Sequence, residues 1–207
     1  MNSEQLYPYI LFAHILSGGA SLMAGLVALT TTKGRRLHKV SGKTYLGFML
    51  LAVIAALVMC SLKPNSFLFS IGVFTLYMMF TGWRALHNRK FIALWFDWVA
   101  CIAAMITGAW MIAQLEIVLI IFGSITVLMG LQDYILFYRS RSIPPKKVNW
   151  LQMHIGRMTG SYIATTTAFL VVNVQIKPYW VPWLLPTVLG SLVIAYFMRR
   201  YTMKTKH

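Results

Sequence analysis

Apolar stretches of about 20 residues recur along almost the whole chain, separated by short polar loops. A helix of about 20 residues is long enough to cross the ~30 Å hydrocarbon core of a bilayer. The stretches therefore predict an all-α fold, a bundle of seven transmembrane helices that forms a single domain over residues 1–207. The predicted spans are 8–31, 41–62, 66–86, 94–113, 116–138, 151–173 and 181–198.

The composition excludes most classes of soluble protein. Of the 207 residues, 58% are hydrophobic and 11% are charged, and the net charge is +15, whereas soluble domains have about 25% charged residues. Such a chain cannot cover a water-facing surface, which excludes an ordinary cytosolic enzyme and a disordered basic tail. Because the basic residues lie in short runs between apolar stretches, we expect the lipid bilayer and anionic headgroups at its cytoplasmic face as partners, and no nucleic acid.

The distribution of Lys and Arg predicts the orientation. Of the 19 basic residues, 17 fall in or next to alternate loops and the C-terminal segment, and the two exceptions are Lys63 and Lys177. Basic loops stay in the cytoplasm, so the pattern predicts an outside N-terminus, a cytoplasmic C-terminus and an odd number of spans. The seven tryptophans agree, since each falls near a predicted end of a span, as in an interfacial aromatic belt.

Titratable side chains collect at one depth of the predicted bundle. They lie near the cytoplasmic ends of five spans, and they are Asp97, Asp133, His154, Arg157, His38 and His87. In the fourth, fifth and sixth spans they share a face with small residues. Polar groups at membrane depth are costly and are therefore candidates for function. We expect them to share one site near the cytoplasmic face. The exception is His14, in the outer half, where Ser17 or Asn173 could be its hydrogen-bond partner.

The same residues also have a structural interpretation. Asp133 and Arg157 could simply neutralise each other at similar depth, and Asp97 could pair with His87 or with a loop lysine. His38 could be solvated or meet lipid headgroups, and the small residues could serve ordinary helix packing.

Five short segments carry a resemblance to other sequences, and they are Ala13-His14-Ile15, Leu37–Tyr45, Asp97-Trp98, Asp133 and His154–Ala164. On these segments the chain resembles an uncharacterised family of bacterial predicted integral membrane proteins, a domain of unknown function. The resemblance covers nearly the whole chain and is most specific in the last segment. It implies a multi-pass protein of the bacterial inner membrane and implies no activity. His87 does not match the pattern of the family.

The leading functional hypothesis is a cofactor site near the cytoplasmic face. His38 and His154 are the predicted primary ligands, with Asp97 and Asp133 as further metal ligands or as acceptors that orient an imidazole. Neutral imidazole suits zinc, copper or haem iron, so the expected cofactor is a transition metal or a single haem b. Arg157 would hold an anionic group, such as a haem propionate or a lipid phosphate.

His87 and His14 are further candidate ligands for this cofactor. Two haems with two histidines each are excluded, because the outer half of the predicted bundle contains only His14.

Two other functions stay open from the sequence. In a small transporter or proton relay, Asp97, Asp133 and His154 would exchange protons. In a membrane assembly or scaffold protein, the same residues would matter only for stability. For an enzyme, no nucleophile–base pair stands out, and the sequence leaves catalysis undecided.

Overall fold

The computed structural model describes residues 3–141, 149–174 and 176–202, and within them the chain forms seven α-helices. The helices are α1 Ser3–Thr30, α2 Arg36–Leu62, α3 Ser66–His87, α4 Trp95–Ala113, α5 Ile117–Ser140, α6 Trp150–Asn173 and α7 Val181–Thr202. The predicted all-α class is confirmed, and each predicted span corresponds to one helix. In the described parts of the chain, six helices, all except α6, are long and apolar enough to cross a membrane.

Several helices extend beyond the apolar stretches that predicted them. Helix α2 begins at Arg36 and α5 ends at Ser140, so both continue into basic segments. Hydropathy detects the apolar part of a helix, whereas the helix itself continues while its backbone hydrogen bonds continue.

Helix α6 has the length of the others but a more polar composition. Its 24 residues would extend over about 36 Å. Its buried positions include Arg157, Thr159, Ser161 and Thr167, so much of its polar character faces other protein segments. A polar residue on such a buried face does not have to be solvated by lipid.

The chain divides into two compact units, Met1–Gly72 and Val73–His207, and the boundary falls within α3. In the first unit α1 packs against α2. In the second unit α4 packs against α5 and α6 against α7. Neighbouring helices in the sequence therefore form hairpins, as short loops dictate.

Two reciprocal histidine hydrogen bonds join the α1–α2 hairpin. His14 in α1 donates from Nδ1 to the carbonyl oxygen of Ala52 in α2 at 2.8 Å, and His38 in α2 donates to that of Ala28 in α1 at 3.0 Å. Lys33 Nζ also donates to the Ala28 carbonyl, at 2.9 Å. Carbonyls in the last turn of a helix lack intrahelical partners. His38 and Lys33 supply donors for one of these carbonyls, that of Ala28.

Two glycines bring the backbones of α4 and α5 into contact. A Cβ on Gly108 would lie 2.8 Å from the carbonyl oxygen of Gly123, and a Cβ on Gly123 would lie 2.7 Å from that of Gly108. Only glycine fits at both positions. This close contact determines the rotation of α5 against α4, and therefore where the polar side chains of α5 point.

We expect Gly123→Ala to lower the free energy of unfolding by about 2 kcal/mol, because the new methyl group overlaps a backbone oxygen that cannot move independently. The measurement is unfolding of the detergent-solubilised protein by titration with dodecyl sulfate. Gly47→Ala is the matched control, since a Cβ there meets no atom within 4 Å. The control should retain or gain stability, because alanine is the better helix former. Equal losses in the two variants would contradict the proposed close contact.

Candidate functional site

Tyr77, Asp133 and Arg157 form a buried cluster that joins three helices of the second unit. The Nη2 of Arg157 in α6 donates to Oδ1 of Asp133 in α5 at 3.0 Å, and the hydroxyl of Tyr77 in α3 donates to Oδ2 of the same carboxylate. Arg157 is 5% exposed and Asp133 is 1% exposed. Both carboxylate oxygens therefore have a donor, and the charge pair is removed from solvent.

Further contacts hold the guanidinium of Arg157 in place. Nη2 also donates to the carbonyl oxygen of Met129 at 3.3 Å, and the guanidinium carbon lies 5.5 Å from the centre of the Tyr77 ring. Nη1 is buried and has no hydrogen-bond partner among the described residues. The cluster thus uses part of the donor capacity of the arginine and leaves one nitrogen unsatisfied.

Small residues allow α3 and α6 to approach each other at this cluster. A Cβ on Gly82 in α3 would lie 3.0 Å from the Cβ of Arg157, and Gly160 in α6 similarly faces Met78. The close approach lets the Tyr77 hydroxyl and the Arg157 guanidinium reach the same carboxylate. The small residues that the sequence shows on α6 therefore have a direct role in forming the cluster.

A second ion pair, between Arg84 in α3 and Asp97 in α4, is bidentate. Nε of Arg84 donates to Oδ1 and Nη2 donates to Oδ2, both at 2.8 Å. Oδ2 also accepts the backbone N–H of Leu94 at 2.9 Å, which caps the first turn of α4. A carboxylate at this position is stabilised by the partial positive charge at a helix N-terminus.

The two ion pairs differ in their exposure to solvent. The side chain of Arg84 is 14% exposed, whereas that of Asp97 is 1% exposed. Arg84 therefore connects a buried carboxylate to the surface of the second unit, while the Asp133–Arg157 pair has no such connection through either of its side chains.

A small cavity of about 10 Å³ borders both ion pairs. This volume has room for about one water molecule. Its polar lining consists of Tyr77, Thr81, Arg84, Asn88, Asp97 and Asp133, and its apolar lining of Phe80, Ala85, Phe91, Phe137 and Met153. The two buried carboxylates of the second unit thus face one water-sized space.

His154 links α6 to α3 beside the cluster. Its Nδ1 donates to the carbonyl oxygen of Gly82 at 3.0 Å, one turn of helix away from Arg157. His87 is exposed, and its Nδ1 donates within its own helix to the carbonyl of Trp83 at 3.0 Å. His38 belongs to the first unit, where it holds the α1–α2 hairpin together.

The structure decides between several interpretations that the sequence left open. Asp133 pairs with Arg157. The expectation that Asp97 pairs with His87 or a loop lysine is wrong, because Arg84 on the facing side of α3 takes both carboxylate oxygens. For His14 the expected partners Ser17 and Asn173 are also wrong. Ser17 and Asn173 donate to carbonyls of their own helices, and the His14 imidazole donates to a carbonyl of α2.

Tyr77 and Arg84 are not among the candidate residues that the sequence indicates, although α3 carries a usable signal. Tyr77, Thr81, Arg84 and Asn88 recur at helical spacing along one side of this segment, and all four line the cavity. Residues at i, i+4, i+7 and i+11 share a helix face. The apolar ring of Tyr77 is typical of a packing residue in an apolar span, and Arg84 lies close to the basic residues that indicate the cytoplasmic side.

The predicted metal ligands do not gather in the described residues. Among those residues, no group of three His, Cys, Asp or Glu side chains is placed to hold a metal ion. Asp97 and Asp133 each have an arginine partner, and a metal would have to displace it. The assignment of His38, His154, Asp97 and Asp133 to a metal or haem stays a prediction.

Comparisons with protein-family models, with curated proteins and with solved structures find no match for this chain. The resemblance to an uncharacterised bacterial family stays a prediction as well. The candidate function therefore rests on the chemistry of the side chains themselves.

We expect Arg157→Met to cost about 3–5 kcal/mol of stability, because it leaves the Asp133 carboxylate buried without its cation. The double variant Asp133→Leu/Arg157→Met should lose less than Arg157→Met alone, because no charge remains buried. The measurement is the same dodecyl sulfate titration, arranged as a double-mutant cycle. Additive losses would show that the two side chains do not interact as described.

Proposed function

We propose that this chain is a seven-span integral membrane protein of the bacterial inner membrane, with its N-terminus outside, and that its buried carboxylates exchange a proton with the cytoplasmic side. Six helices have the length and composition of membrane spans. Helix α6 is the seventh span in this proposal, because its arginine is paired and its polar face is buried. The alternation of basic loops supports the orientation.

One observation carries the proton-relay role, namely the water-sized cavity that Asp97 and Asp133 both line. A water in this space can accept a hydrogen bond from one group while donating to another, which is what proton transfer between two carboxylates requires. Arg84, partly exposed, marks the side from which the proton enters. Asp133, with Tyr77 and Arg157 around it, is the inner proton-binding group.

Arginine suits this role because it stays protonated under all physiological conditions. Arg157 therefore stabilises the ionised state of Asp133 and does not itself take part in proton exchange. The hydroxyl of Tyr77 donates to the same carboxylate. When Asp133 gains a proton, the carboxyl group becomes a donor as well, and the hydrogen bonds of the cluster must rearrange. Proton binding thereby changes the contacts between α3, α5 and α6.

The proton relay is testable by infrared spectroscopy, because the chain has only four Asp and Glu residues. We expect a protonated-carboxyl C=O band that titrates with pH and is absent from Asp133→Asn. Tyr77→Phe should shift the frequency of this band without abolishing it, because one hydrogen bond is lost. Glu116→Gln is the matched control and should leave the band unchanged, since Glu116 is exposed and bonded to Tyr179. A carboxyl spectrum unaffected by Asp133→Asn would refute the relay.

Cofactor binding is a second candidate function, favoured by the state of the histidines. His14, His38, His87 and His154 each place Nδ1 within 2.8–3.0 Å of a backbone carbonyl. A carbonyl only accepts, so Nδ1 is the protonated nitrogen. In the neutral ring Nε2 then carries the lone pair, as in a metal- or haem-ligating histidine.

This second candidate predicts a bound chromophore or metal in the purified protein. We expect either a Soret band that shifts on reduction with dithionite or stoichiometric iron, zinc or copper by elemental analysis. His154→Ala should remove the signal, and His87→Ala, the control on an exposed histidine, should retain it. Protein that is colourless and free of metal after purification from membranes would leave only the proton relay.

A further inference from the structure

The segment between α3 and α4 turns a single aromatic side chain inward. Asn88 organises this segment through its side chain, which donates to the carbonyl oxygen of Ile92 at 2.7 Å and accepts the N–H of Ile92 at 3.0 Å. The N–H of Phe91 donates to the carbonyl oxygen of Asn88 at 3.1 Å. Phe91 is 3% exposed, whereas the neighbouring Trp95 is 75% exposed.

The inward position of Phe91 requires a backbone conformation that non-glycine residues rarely adopt. Its φ is +56°, in the left-handed region. A Cβ makes this region unfavourable, so the conformation persists only because other interactions compensate. The compensation here is the burial of the ring, which packs in one apolar cluster with Cys101, Leu136 and Phe137.

Phe91 also belongs to the wall of the cavity that borders the two carboxylates. Its ring lines that space together with Asp97 and Asp133. The segment that carries it joins the ends of α3 and α4 nearest to the Arg84–Asp97 pair. The ring therefore forms part of the cavity wall on the side of the α3–α4 segment.

We propose that Phe91 is a hydrophobic plug that controls the access of water to the Asp97–Asp133 cavity. The strained backbone and the buried ring oppose each other, and this makes an outward turn of the segment accessible. In the plugged state the cavity has room for about one water, and in the open state it admits more water. The use of this access for proton exchange rests on the proposed function, whereas the plug itself does not.

Cys101 provides a direct reporter for the plug, because its buried thiol packs in the same cluster as Phe91. The chain has two cysteines, so Cys60→Ser leaves Cys101 as the single thiol. The experiment measures the rate at which a charged methanethiosulfonate reagent modifies Cys101 in the full chain in membrane vesicles open to both sides. In this background we expect Phe91→Gly to raise the labelling rate by about tenfold or more, since labelling follows the population of open states.

Three further variants separate a plug from general loosening of the fold. Glycine tolerates positive φ, so Phe91→Gly relieves the strain and regains part of the stability lost with the buried ring. The dodecyl sulfate titration checks that the variant is folded. Phe91→Leu keeps an apolar side chain and should label slowly. Trp95→Ala, which removes an exposed aromatic residue a few positions away, should label at the parental rate, and Phe91→Ala should label quickly like Phe91→Gly.

The outcomes distinguish the plug from the proton relay. Slow labelling of a folded Phe91→Gly variant, or equally fast labelling of Trp95→Ala, overturns the plug. Fast labelling of Phe91→Gly supports the plug even if the infrared band of Asp133 fails to titrate, in which case only the relay is lost. If the plug and the proton relay are both supported, a pH jump should protonate Asp133 faster in Phe91→Gly than in the parent. An unchanged rate would show that the plug does not control proton access.

Discussion

The ion pair between Asp133 and Arg157 is the interaction on which the second unit depends. An arginine that is 5% exposed in an apolar helix bundle needs an anion within reach, and Asp133 is that anion. The pair cannot form unless α5 and α6 are rotated so that both side chains face inward. Leaving either charge alone in such surroundings costs several kcal/mol. The pair thus specifies one arrangement of helices among the many that apolar packing alone would permit.

Glycines make that arrangement possible at two helix contacts. Gly108 and Gly123 bring α4 and α5 together, and Gly82 brings α3 close to the segment of α6 that carries Arg157. Because lipid tails are as apolar as leucine side chains, close packing and hydrogen bonds have to supply the specificity of helix association in a membrane. The small residues and the charged cluster therefore act together to specify how the helices associate.

The carboxylates and the histidines have separate structural roles. Each buried carboxylate is held by its own arginine, Asp97 by Arg84 and Asp133 by Arg157. Three of the histidines instead connect neighbouring helices through backbone carbonyls: His14 and His38 within the first hairpin, and His154 between α6 and α3. A mixed His/Asp metal centre would have to displace the arginine from each carboxylate, whereas proton exchange uses the carboxylates where they are. This difference favours the proton relay over a metal centre.

The sequence by itself determined the helices and their approximate positions along the chain. Length, apolarity and helical spacing are properties of one segment at a time, and the local backbone follows them. The partner of each charged residue was decided only by the tertiary structure. Asp97 meets Arg84, Asp133 also meets Tyr77, and Phe91 turns into the cavity, because helices packed on glycines acquire a definite rotation and depth. Rotation and depth depend on contacts between distant segments, and hydropathy read along a single segment contains no information about them.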